Sequence, residues 1–201
     1  MSIVTTIPRG WEASDIGDLT GKSFLITGGT SGIGKEAALE LARAGAHVTI
    51  TARDAVKGAA VVAEIAKERV DFKLLDLTDL SSVKNFAKEF TKPVDVLILN
   101  AGVMATPFSL TKDGFEMQMG TNHLGHFALT GLLREKISER IVAVSSQMHR
   151  AARVSGITED ELRNRCRGIG AYNPWSAYAL SKLANLLFIH EFERRSTRNS
   201  W

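Results

Sequence analysis

The stretch Ser23–Gly34, SFLITGGTSGIG, leaves few folds open to this chain. Ser23–Thr27 is short, apolar and β-prone, as in a buried strand, and it runs straight into glycines. Gly28, Gly32 and Gly34 lack a Cβ, so the backbone there can turn sharply, approach a ligand closely and let a helix pack on the strand. Ile33, Ala37, Leu41 and Ala44 then recur at helical spacing and Gly45 suits the stop, so a helix is predicted over Lys35–Ala44. Strand, glycine loop and helix in that order make a phosphate cradle. The helix N-terminus offers N–H groups without partners and a partial positive charge. Glycine-rich turns are common by themselves; the order of the three elements gives this one its weight.

The same alternation continues downstream. Strands are predicted at His47–Ala52, Val70–Leu77, Val94–Leu99 and Arg140–Ser145. Helices are predicted at Asp54–Glu68, Ser81–Phe90 and from about Phe115 to Glu135, with Leu132–Glu139 looking short as a lead into the last strand. Strands joined through helices pair in parallel, because each right-handed crossover returns the chain in the same direction. The expected fold is α/β, a doubly wound parallel sheet of Rossmann type in order 3-2-1-4-5, with a crevice where the winding reverses. The chain's 201 residues suit one domain,: residues 19–201, after an N-terminal extension, 1–18. Thr158–Glu161 has capping-box spacing, which places a short helix inside the irregular stretch Arg150–Ala171.

Charge and composition remove several classes of function. With 25 basic against 22 acidic residues the net charge is +3, too mild for a nucleic-acid surface, and the clusters Arg163, Arg165, Arg167 and Arg194, Arg195, Arg198 read as solvated faces. Cys166 is the single cysteine, so neither a disulfide within the chain nor a cysteine-built zinc site can form; beside two arginines it still reads as incidental. His123 and His126 have no carboxylate cluster near them and read as packing or hydrogen-bonding groups, so no metal is expected. Met1–Leu19 contains neither a signal-peptide core nor a membrane span, which makes the cytoplasm the default expectation.

The end of the second strand meets the adenosine ribose in such a fold. An acid there would grip both ribose hydroxyls and repel a 2′-phosphate. This chain has Ala52 and Arg53 instead, and Arg53, helped by Lys57, can fork onto that phosphate. NADP(H) is favoured over NAD(H), which stays open, as does the reading of Arg53 as a solvated loop arginine beside Asp54. Further on, Tyr178-Ala-Leu-Ser-Lys182 lies on a predicted helix capped by Asn173, with Pro174 in its first turn. Four-residue spacing puts phenol and ammonium on one face, where the charge favours a phenolate. Tyrosine and lysine at that spacing are frequent by chance.

Six segments together are far more specific: TGGTSGIG at 27–34, LDLTD at 75–79, NAG at 100–102, TNHLGHF at 121–127, IVAVSS at 141–146 and YALSK at 178–182. In these segments and their order, from Leu19 onward, the chain resembles the short-chain dehydrogenase/reductase family, in the group similar to retinol dehydrogenases and the WW-domain oxidoreductase. The resemblance implies an NADP(H)- or NAD(H)-dependent oxidoreductase interconverting a small-molecule alcohol and carbonyl, lipophilic by family analogy. It implies a tetrad of Asn122, Ser146, Tyr178 and Lys182. Tyr178 would exchange the proton with the substrate oxygen and Ser146 would hydrogen-bond that oxygen. Lys182 would promote the phenolate and hold the nicotinamide ribose, and Asn122 would position a relay water. Gly28, Thr30, Ser31, Gly32, Ile33 and Gly34 would hold the diphosphate. Asp76 and Leu77 would border the adenine, and Asn100, Ala101 and Gly102 would support the sheet and the cofactor. Without the resemblance Ser146 reads as a strand-end serine, Asn122 as a helix or turn amide, and Asn100–Gly102 as a turn.

Similar proteins continue past the tyrosine helix into a sixth strand, a Pro-Gly turn beside the nicotinamide, covering helices and a seventh strand, none of which this sequence reaches. Two expectations follow. The adenosine half of the site should still bind nucleotide, while turnover should be weak; the alternative is a truncated, weakly active or inactive nucleotide-binding or scaffold protein. The small residues Ala177, Ser181 and Ala184 on the tyrosine helix allow close packing, and in resembling enzymes that helix often forms a homodimer interface.

Overall fold

The computed structural model describes residues 8–65 and 68–196. Five strands form one parallel sheet: β1 (Ser23–Ile26), β2 (His47–Ala52), β3 (Val70–Leu74), β4 (Val94–Leu99) and β5 (Ile137–Ala143), in the order β3-β2-β1-β4-β5. The register sets Leu25 against Thr49 on one side and Leu97 on the other, with Ile50 against Phe72 and Leu97 against Ile141. The order 3-2-1-4-5 expected from the sequence is the order found.

Period-two alternation divides each central strand between two cores. Phe24 and Ile26 of β1 join Val48, Ile50, Val61 and Val70, packed under α1 (Gly32–Arg43) and α2 (Ala55–Ile65). Leu25 faces the opposite way, onto Leu97, Leu99, Phe86, Leu129 and Leu133, under α3 (Leu80–Glu89) and the later helices. Both faces of β1 are therefore covered, which is why its residues read as a continuous apolar run.

Several boundaries differ from the sequence reading, each for a local reason. Helix α1 begins at Gly32, inside the glycine loop, because Ser31 stays extended as its N-cap and the chain turns helical at once. Strand β3 stops at Leu74. The Leu75 amide still donates to the Ala52 carbonyl, but Asp76 then folds a turn by accepting the Thr78 amide. Strand β5 starts at Ile137 and ends at Ala143, so part of the stretch that looked too short is strand. Ahead of it Lys136 donates to the carbonyls of Ala87 and Phe90, tying the strand's entry to the end of α3. The helix expected over Asp54–Glu68 is Ala55–Ile65; Ala66 and Lys67 lie outside the described residues, as do Met1–Ile7 of the extension and Arg198.

Between β4 and β5 the chain forms α4 (Met117–Met119), a π-helical turn at Gly120–Leu124 and α5 (Gly125–Leu133). After β5 come α6 (Glu159–Cys166), capped by the expected Thr158–Glu161 box, and α7 (Pro174–Ser196). The Asn173 carboxamide accepts the Ser176 amide and caps α7 as read. A buried polar knot fixes where α7 starts. Gln118 donates to the Pro174 carbonyl and the Tyr172 hydroxyl and accepts the Ala105 amide, while Glu116 takes the amides of Gln118 and Met119. No described helix is long and apolar enough to cross a membrane.

Candidate functional site

All five strands point their C-terminal ends to one edge of the sheet, and the loops leaving that edge surround a cavity of about 540 Å³. Its walls include Gly28, Thr30, Ser31, Ile33 and Gly34 from the glycine loop, Arg53 after β2, and Asp76 and Leu77 after β3. Asn100, Ala101 and Gly102 after β4 add to them, with Ser146 after β5 and Tyr178 and Lys182 from α7. Thus two groups of residues far apart in the sequence meet in one space. Three of the expected residues, Lys57, Gly32 and Asn122, do not line it. Gly32 takes a positive φ of 54° as the chain turns into α1. Asn122 is fully buried one layer behind the wall.

The glycine loop is glycine because its neighbours leave no room. A Cβ on Gly28 would lie 2.8 Å from the Ala101 Cα, and one on Gly34 would lie 2.4 Å from the Asn100 Nδ2. Such contacts force the backbone apart, so the loop can rest against the end of β4 only with glycine at these two positions,. Gly29 is under the same demand from Ile50, at 2.5 Å, a constraint the motif reading did not separate from the ligand's. Asn100 locks the arrangement by donating to the carbonyls of Thr27 and Gly28 at 3.0 and 3.2 Å.

Beside Arg53, Asp54, the acid that complicated the sequence reading, is committed elsewhere. Its carboxylate accepts the Lys57 amide at 2.9 Å and caps α2,. Arg53 has no ion-pair partner among the described residues, and it lines the cavity.

Helix α7 presents Tyr178 and Lys182 together, with the Lys182 Nζ 5.7 Å from the phenol ring centroid. Lys182 is only 4% exposed and donates to the Val144 carbonyl at 3.1 Å. Burial pushes its ammonium pKa below the usual value,. Ser145 donates to the Lys182 carbonyl at 2.8 Å, a bond that ties the end of β5 to α7, as a structural serine would. Ser146 caps the turn Gln147–Ala151 by accepting the Met148 amide and lines the cavity. The Asn122 carboxamide accepts the Val103 amide at 2.8 Å and donates to the Val103 carbonyl and to Ser181, both at 2.9 Å. It therefore braces the loop after β4 against α7. Ser181 is buried by this contact, away from any outer face of α7.

Sequence reasoning missed Val103, Met104, Thr121 and Val144 in the wall, because nothing in their residue type marks them. Cys166 is half-buried, and burial with the nearby Glu116 carboxylate pushes its thiol pKa up, against any role as a thiolate nucleophile,. Among the described residues no group of three or more His, Cys, Asp or Glu side chains could hold a metal.

A profile described as short chain dehydrogenase matches residues 22–157. Human retinol dehydrogenase 11 is 47% identical over 188 residues, covering 88% of this chain and 57% of its own length. Human retinol dehydrogenase 13 is 43% identical over 188 residues, covering 88% and 55%. This chain thus spans a little over half the length of these relatives. Among solved structures, an uncharacterized protein from Mycobacterium paratuberculosis superposes with a TM-score of 0.86 at 49% identity, covering 94% of this chain and 68% of that one. A protein from Beutenbergia cavernae described as a putative NAD(P) dependent gluconate 5-dehydrogenase, with NADP bound at low occupancy, gives 0.68 at 27% identity, covering 89% and 68%. With the profile matched over most of its length and the sheet in the order described, the chain belongs to the short-chain dehydrogenase family.

Proposed function

We propose that this chain, through residues 19–201 as one catalytic domain, interconverts an alcohol and a carbonyl with NADP(H) in the cytoplasm. The observation that carries this reading is the shared cavity, in which the glycine loop and Arg53 line one part and Ser146, Tyr178 and Lys182 another. The residues fit the cofactor. Gly28, Gly29 and Gly34 have no room for a Cβ, which keeps bare backbone at those points of the phosphate end. The first turn of α1 offers amides to a diphosphate, and Arg53, without an ion-pair partner among the described residues, supplies the cation that a 2′-phosphate needs. The NADP bound to the Beutenbergia cavernae protein agrees with this choice.

When bound, the nicotinamide supplies or accepts the hydride. The protein's part is proton handling and orientation. During reduction the Tyr178 hydroxyl donates its proton to the substrate oxygen while the Ser146 hydroxyl donates a hydrogen bond to the same atom. During oxidation the Tyr178 oxygen, as the phenolate beside the Lys182 ammonium, takes the alcohol proton and becomes the phenol. Asn122 keeps this geometry by bracing Val103 against Ser181. A lipophilic substrate is favoured by likeness to retinol dehydrogenases and by the apolar side chains of Val103 and Met104 in the wall. We also infer that a second copy is the partner, docking on exposed Phe127, Leu186 and Leu187 of α5 and α7.

The test is the loss of NADPH absorbance with a panel of retinoid, steroid and aliphatic aldehydes and ketones. Turnover is expected with at least one carbonyl and should fall at least about a hundredfold in Tyr178→Phe, as for loss of a general acid, with NADPH affinity unchanged. Turnover undiminished in that variant would overturn the assignment. NADPH binding without turnover on any carbonyl would favour the nucleotide-binding or scaffold reading.

A further inference from the structure

His126 is a buried titratable side chain that this chemistry leaves unused. It sits on α5, one turn after Asn122, and is 2% exposed. Its Nδ1 lies 3.0 Å from the Asn122 carbonyl oxygen and its Nε2 lies 2.8 Å from the Thr27 hydroxyl. A carbonyl oxygen only accepts, so Nδ1 carries a proton and donates it. Burial lowers the ring's pKa to about 4, so near neutral pH the imidazole holds that one proton and Nε2 is a bare lone pair,. The Thr27 hydroxyl must then be the donor to Nε2.

The rest of the Thr27 hydroxyl is also committed. Its oxygen accepts the amides of Asn100 and Ala101 at 2.9 and 3.1 Å. The other acceptor near its proton, the Ile98 carbonyl, is 3.4 Å away. A hydroxyl has one proton and two lone pairs, and here all three are assigned. We propose that His126 is a positioning residue for the nucleotide site: as the Nδ1–H tautomer it takes the Thr27 hydroxyl proton, which turns both Oγ1 lone pairs onto Asn100 and Ala101. These two residues line the cavity, and Ala101 is the surface against which Gly28 rests. His126 therefore sets, from behind, the spacing between the glycine loop and the end of β4. Its other nitrogen holds the backbone of Asn122, so one ring steadies both the nucleotide wall and the brace to α7.

This inference rests on the reading of the cavity as a dinucleotide site, and its test separates the two. In the unliganded wild type, nitrogen-15 spectra of the imidazole should show a proton on Nδ1 and none on Nε2. A proton on Nε2 overturns the proposal whatever the cavity binds. His126→Gln can place its carbonyl oxygen near the Nε2 position and still accept from Thr27, whereas His126→Asn reaches only the Asn122 carbonyl. Amide signals of Asn100 and Ala101 should therefore move in His126→Asn and Thr27→Val and stay near their wild-type positions in His126→Gln. NADPH affinity should fall about tenfold in His126→Asn and Thr27→Val, as for one lost buried hydrogen bond, and return towards wild type in His126→Gln. The double variant Thr27→Val with His126→Asn should be no weaker than either alone. Equal losses in the Gln and Asn variants would mean that His126 merely fills space. Should a variant not fold, the wild-type imidazole spectrum still decides the tautomer. A wild type that binds no NADPH sinks the dinucleotide reading, and the imidazole and amide signals still report whether His126 holds Thr27.

Discussion

Arg53 follows the last residue of β2, where a carboxylate would hold both ribose hydroxyls of NAD. With Asp54 used as the cap of α2, the guanidinium is the charge left to meet an incoming phosphate there. Fluorescence titration should give NADPH an affinity at least about tenfold above NADH, the size of one charge-assisted hydrogen bond. Arg53→Asp should erase or reverse that preference, and equal affinities in the unaltered chain would refute it. Arg53 stood out in the sequence as a base where an acid is expected, whereas Ser146, Tyr178 and Lys182 stood out only through the family resemblance. His126 and Val103 did not stand out. Their roles depend on what stands behind or beside them after folding, and a histidine with no carboxylate neighbours in sequence gives no sign of its partners.

The elements were legible in kind and order, while their ends were not. Hydrophobic period predicts which segments are strands or helices, but the ends are set by single polar groups. Asp76 ends β3 and Lys136 anchors the entry to β5 in this way. The π-helical turn before α5 had no sequence signal; it is stabilised by tertiary bonds, among them those of Asn122 to Val103 and Ser181. Helix α5 is fastened to the end of β1 through His126, and that fastening is acid-sensitive. Burial is the main reason the ring resists protonation; the Asn122 carbonyl works against it, and Lys182, with His123 once that ring is protonated, adds a smaller repulsion. An unfolded histidine protonates near pH 6.5, whereas the folded ring does so only near 4. The unfolded state therefore binds more protons between these values, and stability falls as pH drops through that window. Between pH 7.5 and 5 the loss assigned to His126 is about 2 kcal/mol. Urea melts at both pH values should show this loss in the wild type beyond that of His126→Gln, which has no ring to titrate. Parallel losses in the two proteins would reject the assignment.

On the scale of the whole molecule, the sheet buries both faces of its centre and leaves β5 at an edge, with none of its residues fully buried. Phe127 at 55% and Leu187 at 59% exposure extend an apolar surface over α5 and α7. Such surfaces are association sites more often than solvent faces. Light scattering should find a dimer at high concentration that Leu187→Glu weakens without altering NADPH affinity, and a monomer throughout would reject the docking face. Two distant sequence segments meet in one cavity. Backbone amide mapping tests this directly, with NADPH and with the nicotinamide-free fragment 2′-phospho-ADP-ribose titrated separately. Both ligands should shift Gly28–Gly34, Arg53, Asp76 and Leu77, and NADPH alone should also shift Ser146, Tyr178 and Lys182. Shifts confined to residues outside the cavity, or none at Ser146, Tyr178 and Lys182 with NADPH saturating, would contradict the account.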